Sequence, residues 1–319
     1  MSHMIESMAY AGETPWHGLG KPVSNNLSVK EMQIAAGANF QILKEKEFVE
    51  YNGRRIPTGN YALLRKNEGK DFVHFLDSVS EDWVFPQPDE CFEFFREWVE
   101  DGDMEMHTAG VLDDCRAIWA LAKVKDGFEL FKGKDVVESN LLFTTPYRYG
   151  RSTTVMGTPI RVVCNNTLQL ALSAGKKNED MMIRINHRRE VDSEEVKKAL
   201  KLNRGKLATY KEAAEFLSKK KAKSEDVQAY FDKVFPLTSN KKGKEHSRNS
   251  IMLMDILDTQ PGAELGAGTW WQAFNAVTYA TDHLVGNNDD TRLMSAFYGV
   301  GRNRKIDALK LATEFAHAA

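Results

Sequence analysis

The run Phe40-Gln-Ile-Leu-Lys-Glu-Lys-Glu-Phe-Val-Glu-Tyr-Asn-Gly-Arg-Arg-Ile-Pro-Thr-Gly-Asn-Tyr-Ala-Leu-Leu-Arg65 decides the fold of the first half of the chain. Two stretches rich in branched and aromatic residues flank Asn52-Gly53, a pair that tolerates positive φ at both positions and so closes a tight hairpin. A third stretch, Phe72 to Val79, follows a second turn signal at Asn67-Glu-Gly-Lys70. The spacing predicts a β-meander over 40–51, 54–65 and 72–79.

Working outward, Ser28 with Glu31 three residues on forms a capping box, and Gly37 ends the short helix it opens. The opening residues read as irregular, with a rigid turn at Glu13-Thr-Pro-Trp-His-Gly-Leu-Gly20. After the meander, Pro86 to Asp89 leads into an amphipathic helix carrying Phe92, Phe95, Trp98 and Val99, stopped at Gly102. Strands are expected from Met104 to Leu112 and from Ala117 to Val124. A hairpin fragment from Phe128 to Val137 and strands at Leu141 to Pro146 and Thr158 to Cys164 follow. Asn165 or Asn166 is placed to cap a helix bearing Leu168, Leu170 and Leu172.

The remainder reads as helical. Asp192 with Glu195 and Thr209 with Glu212 have capping-box spacing, Ser224 is a third N-cap, and Ser239 to Glu245 has the composition of an exposed loop. Helices are expected at Ile251 to Leu257, Thr269 to Val285, Arg292 to Tyr298 and Lys305 to Ala316. The fold class is α+β: an N-terminal antiparallel β-meander with helices, then a mostly helical C-terminal half. The expected domains are 1–190 and 191–319.

Charge is segregated along this chain. Between Glu68 and Asp114 stand 15 acidic residues against two basic ones, a net of −13; between Val196 and Arg248 stand 15 basic against six acidic, a net of +9. The overall net charge of −2 hides both blocks. A basic block is a footprint for a polyanion and an acidic block can dock a basic neighbour, although both also suit ordinary solvated faces. A hydrophobic content of 42% suffices for a globular core at 319 residues. No apolar run is long enough for a membrane helix and the start lacks signal-peptide features, so a cytoplasmic protein without membrane contact is expected. Cys91, Cys115 and Cys164 are odd in number and widely spaced, which suits reduced thiols.

The candidate sites compete with plainer readings. Cys164 precedes an expected helix N-terminus; as a nucleophile it needs His17 or His187 as base, and otherwise it is a buried, inert thiol. The histidines have no zinc-ligand spacing, and the acid pairs Asp113-Asp114 and Asp289-Asp290 read as turns before they read as metal ligands. No cofactor is expected. Gly299-Val-Gly-Arg-Asn-Arg-Lys305 offers Arg302, Arg304 and Lys305 to a phosphate, or is a turn between helices. Trp270, Phe274 and Val277 form one helical stripe and Trp271, Asn275 and Thr278 the next, which suits core packing better than base stacking. The densest cationic knot is Arg184, His187, Arg188 and Arg189, beside a strand-like run that can present a positive edge to nucleic acid. Lys219, Lys220, Lys221, Lys241 and Lys242 supply further phosphate contacts.

Four motifs stand in order: Pro15-Trp-His-Gly-Leu-Gly20, Arg161-Val-Val-Cys-Asn-Asn-Thr-Leu168, Thr269-Trp-Trp-Gln-Ala-Phe-Asn-Ala-Val-Thr-Tyr279 and Ser295-Ala-Phe-Tyr-Gly-Val-Gly301. With them the chain resembles the phage- and plasmid-associated proteins of the domain-of-unknown-function 932 family. That resemblance supplies no catalytic residues and implies a home on mobile elements. Helix, three-stranded meander and helix from Val29 to Glu100 also resemble, in order alone, Rad52-like single-strand annealing proteins, which form rings around a basic groove; here the helix that follows the meander is acidic. The expectation is an oligomeric, mobile-element protein that binds single-stranded DNA and mediates annealing or recombination. Two alternatives stay open: an interaction protein that sequesters a host factor through its acidic segment, and an enzyme centred on Cys164 or a carboxylate-bound metal.

Overall fold

A computed structural model describes residues 5–12, 20–67, 69, 73–112, 116–161, 166–167, 182–188, 193–237, 245–286, 295 and 299–318. The helix expected after Asn166, Cys115, Cys164, Arg189, Lys241, Lys242, both acid pairs and most of the 13–20 turn, the 239–245 loop and the 292–298 helix lie outside these residues. The chain is α+β.

The meander forms as β3 (Phe40–Tyr51), β4 (Arg54–Asn67) and β5 (Val73–Val79), an antiparallel three-stranded sheet in that order. Asn52 and Gly53 take φ of 49° and 72°, the positive values that the hairpin demands. It is preceded by β1 (Ile5–Ala11), β2 (Lys21–Val23) and α1 (Val29–Ala35). Helix α1 is opened by the expected box: Glu31 N–H reaches Ser28 Oγ at 3.3 Å while Glu31 Oε2 accepts from Ser28 N–H at 2.8 Å. The single amphipathic helix expected after the meander is instead two short ones, α2 (Pro88–Glu93) and α3 (Arg96–Glu100).

Strands read one by one in the sequence join a second, eight-stranded sheet. It comprises β6 (Met104–Leu112), β7 (Ala117–Leu130), β8 (Asp135–Pro146), β9 (Ser152–Arg161), β10 (Asn166–Thr167) and β11 (Met182–Asn186), with β1 and β2. The order is β10-β9-β8-β7-β6-β1-β2, with β11 pairing the start of β9. Asn166 and Thr167 pair with Arg161 and Ile160 as a short strand.

The helical part holds α4 (Ser193–Lys219), α5 (Ser224–Val234), α6 (Arg248–Ile256), α7 (Trp270–Tyr279) and α8 (Val300–Ala318). Thr209 begins no helix: it lies inside the 27-residue α4, and its hydroxyl donates to the Gly205 carbonyl one turn back, at 3.3 Å. Residues 299–305 are likewise not a loop between helices, because α8 starts at Val300. Helix α7 is capped by Thr269 and continues into a π-helical turn, Ala280–Leu284.

The chain divides into two compact units. The first takes residues 1–125, 140–156 and 182–201; the second takes 126–139, 157–181 and 202–319, so the division does not follow one cut near residue 190. The core of the first gathers Met32, Leu63, Phe92, Phe95, Phe143 and Tyr147, that of the second Tyr230, Phe231, Trp270, Trp271 and Phe274. Each such aromatic, wholly buried, contributes roughly 2–3 kcal/mol by removal from water.

Candidate nucleic-acid interface

In the first unit β11, among the described residues, pairs with β9 alone and so forms an edge. Its register sets Arg184 opposite Thr154, Ile185 opposite Thr153 and Asn186 opposite Ser152. Side chains alternate across a strand: Arg184 and Asn186 are exposed, Ile185 and His187 buried. Between β8 and β9 the chain turns through Arg148-Tyr149-Gly150-Arg151, all exposed, closed by Arg151 N–H on the Arg148 carbonyl at 3.2 Å. Gly150 sits at φ +73°, which glycine adopts without strain. Two hydrogen bonds anchor the turn: the Tyr147 hydroxyl, buried, donates to the Pro86 carbonyl at 3.2 Å, and Tyr149 N–H donates to Asp77 Oδ2 at 2.9 Å. Tyr149 itself is 62% exposed. Because Asn186 pairs with Ser152, β11 ends one residue along from Arg151. Arg188, exposed, follows, its N–H on Asn186 Oδ1 at 3.3 Å. Strand β11 and the β8–β9 turn thus carry four exposed arginines, Arg184 and Arg188 on or beside the strand and Arg148 and Arg151 on the turn, the latter pair with a solvent-facing aromatic ring.

His187 belongs to that knot in sequence but not at the surface. Its ring stacks on Trp83 at 4.2 Å, its Nδ1 lies 2.9 Å from the Val84 carbonyl, and its own carbonyl accepts from Val84 N–H at 2.6 Å. Desolvation pulls its pKa down, against the upward pull of the Val84 hydrogen bond. His187 therefore clamps the end of β11, with its ring buried against Trp83.

In the second unit Lys219, Lys220 and Lys221 are exposed at and beyond the last turn of α4, where cations complement the helix dipole. Their backbone is stitched to the start of α7: Trp270 N–H donates to the Lys220 carbonyl at 3.0 Å and Lys221 bridges Thr269. The Lys220 ammonium lies 5.4 Å over the Phe216 ring, and that of Lys221 makes a long contact with the Ala267 carbonyl at 3.5 Å.

Arg304 lines an open groove of about 480 Å³ with Lys233, Asn303, Asp307, Lys310 and Glu314. Its guanidinium lies 4.3 Å over the Phe235 ring, and partial burial lowers its pKa. Carboxylates alternate with cations here, which makes the groove a weaker anion site than the arginine edge. Arg302 and Lys305 face inward. Because α8 starts at Val300, positions 301, 302, 305, 308, 309 and 312 fall on its buried face. Arg302 is 8% exposed, and Lys305 is wholly buried with Nζ 2.6 Å from Asp282 Oδ1. Trp270, Trp271, Phe274 and Val277 are also wholly buried, so α7 is core and no stacking platform.

Asp232 accepts from Ser250 Oγ at 2.6 Å and lies 2.8 Å from His246 Nδ1, while Gln228 Nε2 donates to Ser250 Oγ at 2.8 Å. The residue types are those of a hydrolase triad, but the serine hydroxyl is given to the carboxylate and not to the imidazole, so the serine–imidazole contact of such a triad is not made. The trio ties α5 to α6. Burial pushes the Cys91 thiol up to about 12, which keeps it protonated and inert. Among the described residues no group of three or more His, Cys, Asp or Glu is placed to hold a metal ion, and no helix is long and apolar enough to cross a membrane.

Arg184 and Arg188 were legible as exposed cations, whereas the exposed turn of Arg148, Tyr149 and Arg151 was passed over. The available signal was Tyr-Arg-Tyr-Gly-Arg between two strand-like runs, a glycine turn dressed with aromatic and cationic side chains. Residues 75–306 match a protein family described as a domain of unknown function (DUF932). No curated protein and no solved structure matches the chain.

Proposed function

We propose that this chain, which belongs to the DUF932 family of domains of unknown function, binds single-stranded DNA along the edge formed by β11 and the turn between β8 and β9. The observation that carries the reading is the exposed Tyr149 ring on one turn with the exposed Arg148 and Arg151, at the start of β9, whose partner strand carries the exposed Arg184 and leads to the exposed Arg188. Arginines neutralise phosphates whatever the sequence, and an exposed ring stacks any base, so affinity follows salt and not sequence. Lys219, Lys220, Lys221 and Arg304 extend the cationic surface of the second unit. A cytoplasmic, mobile-element protein that mediates annealing or recombination is the finer form of this reading.

The test is a binding isotherm on labelled oligothymidine across salt. Each neutralised phosphate releases about 0.7 of a counterion on a single strand, so Arg148→Ala with Arg151→Ala lowers the salt slope by about 1.4. No binding at about 50 mM salt refutes the proposal. A second reading rests on the acidic segment: Glu90, Glu93, Glu97, Glu100, Asp101 and Asp103 are all exposed on or beside α2 and α3, a surface suited to a basic host protein. It predicts loss of partner capture when these carboxylates are replaced by amides, with DNA affinity unchanged.

A further inference from the structure

The β3–β4 hairpin runs beyond the third strand. Strand β5 pairs with β4 only from Tyr61 to Lys66, which leaves residues 47–58 as a two-stranded arm. A ribbon of two strands is marginal in water unless something covers it. Register puts Val49 opposite Ile56 and Tyr51 opposite Arg54, all on one face. That face shows 52% of Val49, 67% of Tyr51 and 45% of Ile56 to solvent. The opposite face is partly shielded, since the Arg55 guanidinium lies 5.2 Å over the Phe48 ring and Glu50 pairs with Arg55.

The arm is guarded at its edges and open on its face. Lys44, Glu45, Lys46 and Glu47 line β3, while Pro57, without an N–H, and Gly59 at φ +85° interrupt β4. Both devices block strand addition, which leaves face-to-face contact. Along the open face the chemistry is ordered. At the base stands Glu47, whose carboxylate accepts from Thr58 Oγ1 at 2.9 Å and from Ser78 Oγ at 2.9 Å. Val49 and Ile56 form the middle row, and Tyr51 and Arg54 the tip. Rows two residues apart lie roughly 7 Å from one another, so acid and base are equidistant from the apolar centre. A twofold axis through that centre lays Arg54 of one copy over Glu47 of the other, and the reverse. The arm as a whole carries Glu47 and Glu50 against Arg54 and Arg55, which gives a polyanion no net attraction.

We infer that this arm is a self-association element, in which two copies of the chain pack the Val49, Tyr51 and Ile56 faces together about a twofold axis. The contact is separate from the DNA edge and stands or falls without it. Sedimentation at tens of micromolar protein tests it. The wild type sediments at twice 36.1 kDa; Arg54→Glu and Glu47→Lys each sediment as monomers, since each sets like charges opposite one another. Mixing the two variants restores the dimer, because the introduced carboxylate of one then meets the introduced ammonium group of the other, and a folding defect is not repaired by mixing. Val49→Glu, with unchanged circular dichroism, also gives a monomer. A monomeric wild type, a dimer indifferent to Arg54→Glu and Val49→Glu, or variants that lose oligothymidine affinity while keeping the dimer mass each overturn the inference.

Discussion

Trp271 donates its indole N–H to the Asp135 carboxylate at 2.8 Å, and both side chains are wholly buried. The bond joins the start of β8 to α7 across 136 positions of sequence. A buried donor stripped of its acceptor loses more than the bond was worth, because its desolvation goes uncompensated. Asp135→Ala is expected to cost about 3 kcal/mol in urea unfolding, and Asp135→Asn, which keeps an acceptor, distinctly less. Equal losses for the two would refute the hydrogen-bond account.

The Lys305–Asp282 pair sets a second expectation. Both partners are buried, so Asp282→Ala leaves an ammonium group in the core at a cost of about 3–5 kcal/mol. Replacing the pair by Asp282→Leu with Lys305→Met removes the stranded charge, and most of the loss should return. A double variant no more stable than Asp282→Ala contradicts this.

Acid should weaken the first unit through His187. Its folded pKa lies below the ordinary 6.5 because burial disfavours the imidazolium. Below 6.5 the unfolded chain takes up a proton that the folded one refuses. The stabilising contribution is therefore complete above 6.5 and lost as pH falls from there towards the folded value. His187→Phe, which can keep the stack on Trp83, should flatten the fall in denaturation midpoint between about pH 7 and pH 5. An identical fall in both proteins would assign the effect elsewhere.

Tyr149 supplies the stacking half of the proposed DNA contact. A base on an aromatic ring is worth about 1–3 kcal/mol, so Tyr149→Ala should weaken oligothymidine binding roughly tenfold. Because the ring carries no charge, the salt slope should stay where it was. A lowered slope would mean that the arginine turn itself had collapsed.

What was legible in the sequence was what local chemistry dictates. Asn52-Gly53 placed a hairpin within a residue of its position, and Ser28 with Glu31 opened the helix it promised. The failures arose where tertiary packing outweighs a local signal. Thr209 and Glu212 have capping spacing, but an uninterrupted helical register carries the chain through them. Arg302 and Lys305 read as surface cations, but α8 starts at Val300, which turns both inward, and the distant Asp282 helps make burial of Lys305 tolerable. His187 joined the cationic knot by adjacency alone, whereas strand alternation faces it into the core against Trp83. Sheet order was not legible, since no local pattern says which strand lies beside which.

Residues 126–139 go to the second unit and the stretches on either side of them to the first. In a chain made from its N-terminus, Asp135 must then leave the ribosome long before the tryptophan that satisfies it. The second unit cannot be finished co-translationally until α7 has emerged, and no truncation at a single point yields either unit intact. Limited proteolysis of nascent chains should accordingly find residues 131–134, the turn between β7 and β8, cleavable until synthesis has passed Trp271, and protected afterwards.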